Sequence, residues 1–234
     1  MTQPDVKRHS LLYPEFFAGL DPVSYSLSPE LFTRLWRQTA VDPRWLRVHV
    51  HKAAPSAVRT TWLYVTCGLS DPDLTSSTLL EKGLSGLGAE FTLETPNEAP
   101  WAMRRLQEIA SLQLVIAAGR FGEHRLLDDE DLVPLHGPIS SPSASALHWL
   151  LIAPARRPPY AFELASGMVR FRSLLGITPE EAMFAQQFGS DNLVVLLQRN
   201  GFFPLVDAER RSVVTNRPPK SPPTETSSRS PREP

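Results

Sequence analysis

Val58-Arg59-Thr60-Thr61-Trp62-Leu63-Tyr64-Val65-Thr66-Cys67-Gly68-Leu69-Ser70 is the stretch on which the fold turns. Up to Cys67 it is rich in β-branched and aromatic residues, the composition of a strand buried on both faces. Gly68-Leu69-Ser70-Asp71-Pro72 then ends it. On its N-terminal side, Trp45 to His51 alternates Leu46, Val48 and Val50 with Arg47, His49 and His51, the period of a half-buried strand. On its C-terminal side, a loop containing Gly83, Gly86 and Gly88 leads into a second alternating run, Ala89 to Glu94.

Helices flank these strands. Ser28 caps and Pro29 opens a helix whose stripe is Leu31, Phe32, Leu35 and Trp36, ending near Ala40. A long helix starts near Glu98, with Pro100 in its first turn and Gly119 as its stop. Its apolar face is Trp101, Leu106, Ile109, Ala110 and Leu112, and Trp101 is expected to be largely buried. Residues 121–142 read as loop, strands resume at Ala144–Ala153 and Gly167–Leu175, and Ala155 to Pro159 connects them. Thr178-Pro179-Glu180-Glu181 is a capping box opening one short helix, and Asp191–Arg199 forms another. The irregular order of elements favours α+β with a mixed, largely antiparallel sheet over a doubly wound parallel one. The division expected is an N-terminal extension at 1–27, one domain at 28–216 and a tail at 217–234.

Composition excludes several classes. The chain has 234 residues, 41% hydrophobic, with formal net charge −1, so no global basic field exists to hold nucleic acid or an anionic membrane. No apolar run approaches the ~18 residues of a membrane span, and Met1-Thr2-Gln3-Pro4-Asp5 lacks the features of a signal peptide. With Cys67 as the single cysteine, a cytoplasmic protein without disulfides is expected. Of the 23 prolines, Pro218, Pro219, Pro222, Pro223, Pro231 and Pro234 lie in a C-terminal stretch without one aliphatic or aromatic residue, which reads as a disordered tail.

The search for chemistry finds no catalytic constellation. The glycines at 83, 86 and 88 follow Lys82 and precede a strand, the reverse of a phosphate-binding loop. His49 and His51 share one face of a strand, as a metal pair would, but no further ligand stands at recognisable spacing, so a solvent-facing or polar-interface role is preferred. Cys67 ends an apolar strand and reads as an inert buried thiol. Glu180 and Glu181 are accounted for by capping. The run Asp128-Asp129-Glu130-Asp131 reads as a solvated loop, with a docking patch for a basic partner as the lesser alternative. No cofactor or metal is implied. A hydrolase or metal-dependent enzyme using His49, His51 or Cys67 is the rival to a binding module, and an oligomer-forming scaffold is a third reading.

The ordered segments resemble the suppressor-of-fused domain family. Tyr64-x-Thr66-x-Gly68-Leu69-Ser70 resembles its tyrosine-threonine-glycine-leucine-serine strand, and Gly88 to Leu93 its next strand. Pro100-Trp101 with Leu106-Gln107 and Ala110 is similar to its Pro-Trp helix. Gly167 to Thr178 with Glu180-Glu181, Gly189 to Leu193, and Asp207 with Arg210-Arg211-Ser212 resemble its C-terminal part. Ala102 stands where the family usually has a second proline, and Ala153-Pro154 where it often has aspartate-proline. The resemblance implies protein binding without chemistry. The animal member clamps an extended peptide of transcription factors between two domains, and single-domain bacterial relatives are proposed immunity proteins that neutralise toxins. The chain resembles the N-terminal domain alone, so the clamp and its residues do not carry over, and partner-binding residues stay unassigned.

Overall fold

A computed structural model describes residues 12–74, 81–122, 124–140 and 145–214. Eight strands form one sheet: β1 (Leu20–Ser26), β2 (His49–Ala53), β3 (Trp62–Cys67), β4 (Leu84–Thr95), β5 (Leu132–Pro134), β6 (Trp149–Pro154), β7 (Ala161–Leu164) and β8 (Gly167–Ile177). The order is β1-β2-β3-β4-β8-β6-β5, with β7 also paired to β8. Every pairing is antiparallel except β4–β8. The fold is α+β, as the sequence predicts. The expected tail at 217–234 lies outside the described residues.

The helices are α1 (Pro29–Trp36), α2 (Pro100–Ala117), α3 (Pro179–Phe188) and α4 (Ser190–Arg199). Ser28 caps α1, which stops at Arg37 in the left-handed region (φ 55) rather than running on to Ala40. The capping box of Thr178 and Glu181 starts α3. One face of the sheet packs on α1 and α2 through the largest core cluster, which includes Phe32, Tyr64, Phe91, Leu106, Leu114 and Leu174. The other face holds two smaller clusters. One joins Tyr13 and Phe17 to Val65, Cys67, Phe162 and Phe171; the other seats α3 and α4 on Leu151, Leu175 and Ile177.

Several local expectations are corrected. Trp45 is not in a strand: Asp42 caps a 3-10 turn at Pro43–Arg47, accepting from the Arg44 N–H, and extended pairing begins only at His49. Gly86 and Gly88 are not in a loose loop but in β4, which starts at Leu84 just after Gly83. A Cβ on Gly86 would come within 2.7 Å of the Leu69 carbonyl oxygen, so glycine there permits close backbone approach. Trp101 is only partly buried, because at the start of α2 the inward position belongs to fully buried Ala102. Residues 12–27, read as an extension, supply a helical segment at 12–16 and the edge strand β1. Residues 121–142 are not all loop, since they include the three-residue β5, and the short β7 precedes β8 and pairs with it.

Candidate functional site

The end of β3 and the turn after it, Thr66 to Ser70, fold around a carboxylate. Glu90 on β4 is fully buried and accepts from Thr66 Oγ1 (2.6 Å), the Gly68 N–H (2.9 Å), and both the Ser70 N–H (3.0 Å) and Oγ (2.7 Å). Tyr64 Oη accepts from the Ala99 N–H, joining the same stretch to the start of α2. The threonine, glycine and serine therefore form a cradle that satisfies a buried charge, a structural duty. Nothing in the alternation of 89–94 marks Glu90 as the centre of that cradle.

His49, His51 and Cys67 do come together, on the sheet face covered by residues 12–17. His49 and Cys67 are register partners across β2 and β3, and the two imidazoles lie 6.0 Å apart. Neither histidine faces solvent as expected: His51 is buried beneath the Tyr13 ring (6.0 Å), and His49 is partly buried. Among the described residues His49 Nδ1 has no hydrogen-bond partner, and His51 lies near Asp21. Burial, and then the neighbouring His51, pull the His49 pKa down to about 4, while burial pushes the Cys67 thiol well up. A nucleophilic cysteine needs the opposite shifts, a thiolate beside an imidazolium. No group of three or more His, Cys, Asp or Glu able to hold a metal ion occurs among the described residues.

The acidic run is not a free solvated patch. Arg172, with only 8% of its side chain exposed, pairs with Asp128 and lies 3.4 Å from Asp129, and Arg125 bonds both oxygens of Asp131. Glu180 is exposed at the start of α3, but Glu181 does more than cap. It forms a fully buried ion pair with Arg210 (2.6 Å) and accepts from the Val213 N–H (2.7 Å), tying the C-terminal segment to α3.

Concavities open on both faces of the sheet. A groove of about 340 Å³ between α1, α2 and β5 is lined by apolar Leu35, Trp36, Ile109, Leu112, Val133 and Leu135. A larger cavity of about 490 Å³ opens on the opposite sheet face. It lies beside Phe16, Phe17 and Phe171 and is bordered by Arg59, Glu94 and Arg157. No helix among the described residues is long and apolar enough to cross a membrane.

The suppressor-of-fused protein family matches residues 43–211. The chain belongs to the suppressor-of-fused family. A search of curated proteins finds no match. Among solved structures, this suppressor-of-fused chain is similar to a homologue from Neisseria gonorrhoeae, at 20% identity and TM-score 0.60, covering 90% of this chain and 98% of that one. It is similar to Drosophila Suppressor of Fused at 19% identity and TM-score 0.56, spanning 71% of this chain but 42% of that one. It also resembles a chain of the Sufu–Fu complex, at 19% identity and TM-score 0.59, over 89% of this chain and 90% of that one. These likenesses establish the fold.

Proposed function

We propose that this domain is a non-enzymatic, cytoplasmic protein-binding module, of the immunity type that holds a toxin or another partner protein and blocks it. The observation that carries this reading is the suppressor-of-fused match across residues 43–211, together with a structural neighbour that was solved as a complex with another protein. The surface supports it. Large apolar side chains remain exposed on α3 and α4 (Met183, Phe188, Val195) and near the mouth of the larger cavity (Val58, Tyr160), where a partner would gain burial.

Burial pushes the Cys67 thiol well up, away from the thiolate that the rival hydrolase reading needs, and among the described residues no third His, Cys, Asp or Glu joins His49 and His51 in a group able to hold a metal ion. Tagged full-length protein expressed at native level should co-purify one protein above background. Light scattering of the eluate should then give the mass of a stoichiometric complex. Stoichiometric zinc in the purified protein, lost in the His49→Ala, His51→Ala double variant, would overturn this reading in favour of the enzyme.

A further inference from the structure

The cavity beside β4 and β8 carries a charge imbalance that the fold does not need. Arg59, 8% exposed, donates from Nε to the Thr61 carbonyl (2.9 Å) and from Nη2 to those of Ala54 (2.7 Å) and Ala18 (3.2 Å). Three backbone carbonyls thus hold the guanidinium through Nε and Nη2, while Glu94 acts on it electrostatically. Glu94 is the acid on the wall. One of its oxygens already accepts from Thr61 Oγ1 (2.6 Å) and lies 3.5 Å from Arg157, whose side chain is 49% exposed at the rim. Two guanidinium groups against one carboxylate leave the cavity with one net positive charge.

The rest of the lining is mostly apolar, with Phe16, Phe17, Leu63 and Phe171 prominent, and Thr92 and Ser173 add two hydroxyls. A volume of about 490 Å³ falls in the range of small-molecule sites, which pair mostly apolar walls with a few fixed polar groups. Charge-assisted hydrogen bonds favour a carboxylate at a guanidinium, and a monoanion brings the site to neutrality, whereas a cation or a dianion does not.

We propose that this cavity binds an apolar monocarboxylate, its carboxylate between Arg59 and Arg157 and its body against Phe16, Phe17 and Phe171. The site is independent of protein capture: it stands or falls with small-molecule binding, whatever the domain holds on its outer surface.

Titration of the full chain with 3-phenylpropionate, followed by calorimetry and by amide shifts, tests this. The expected result is saturable one-to-one binding with Kd at or below about 1 mM. Shifts should centre on Thr92, Phe171 and Ser173. The neutral analogue 3-phenylpropanamide and the cation 2-phenylethylamine should each bind at least about tenfold more weakly. Arg157→Gln should weaken the acid by a similar factor with an unchanged thermal midpoint. It is the informative variant, because Arg59→Gln also removes three structural bonds. Competition by N-acetyl-glycyl-phenylalanine would assign the carboxylate to a chain terminus, and its failure to compete to a free small acid. No saturation by the acid, equal binding of acid and amide, or unchanged affinity in Arg157→Gln would each overturn the proposal.

Discussion

The two faces of the sheet are built from the same strands and behave as different materials. Toward α1 and α2, alternate residues of β2, β3, β4 and β8 (Val50, Tyr64, Phe91, Leu93, Leu174) enter one continuous apolar cluster. The intervening residues point the other way, and there the chain places His51, Cys67, Glu90, Thr92, Glu94 and Ser173. That second face is closed in pieces, by residues 12–17 and β7 at one end and by α3 and α4 at the other, with the larger cavity beside the join. The difference teaches where to look for recognition. The first face stores stability in contiguous packing, and the second tolerates polar groups and open volume.

The sharpest way to break this contrast is to remove one phenyl ring from each side. Phe91→Ala leaves a sealed void and should cost about 3–5 kcal/mol in urea unfolding. Phe171→Ala opens into a cavity that already reaches solvent and should cost less, about 2–3 kcal/mol, because water can occupy the space. Equal losses would erase the distinction between the faces. Next in size is Trp101→Ala on α2, about 1–2 kcal/mol, since that ring is only partly buried. A loss as large as that of Phe91→Ala would show that Trp101 anchors the first face after all. On the second face, Thr178→Ala removes the cap of α3 and should lower stability by about 1 kcal/mol, read as a shift in urea midpoint at constant slope.

The smallest effect appears only in acid. His49 stays neutral in the fold with its pKa pulled down to about 4 from 6.5, so the unfolded chain binds the proton first. Stability is therefore complete above pH 6.5 and declines as pH falls toward 4. The decline should be shallower in His49→Gln. An identical pH profile in that variant would mean that another group, such as His51, carries the acid sensitivity.

What could be read in the sequence follows the same division. Periodic apolar residues announced β3, α2 and β8, because burial on a regular element leaves a repeating signature. Caps and turn residues announced the starts of α1 and α3. The second face was far less legible. β1 (Leu20-Asp21-Pro22-Val23-Ser24-Tyr25-Ser26) is an exposed edge with no alternation, and β5 and β7 are only three and four residues long. Tyr13 and Phe17 enter the core from a segment whose burial depends on a distant surface. The partners of Glu90 and Arg59 come from several segments, so their charges look ordinary in a linear reading. Spacing alone reveals only the capping role of Glu181 and nothing of Arg210, because their ion pair closes across 29 residues.

On the proposed function, recognition of a protein falls to the second face and the helices that cover it, while the α1–α2 face holds the fold. Hydrogen–deuterium exchange on the captured complex tests it most directly. New protection is expected at residues 155–164 and 183–199, with α2 exchanging as in the free protein. New protection confined to α1, α2 and β5 would contradict it.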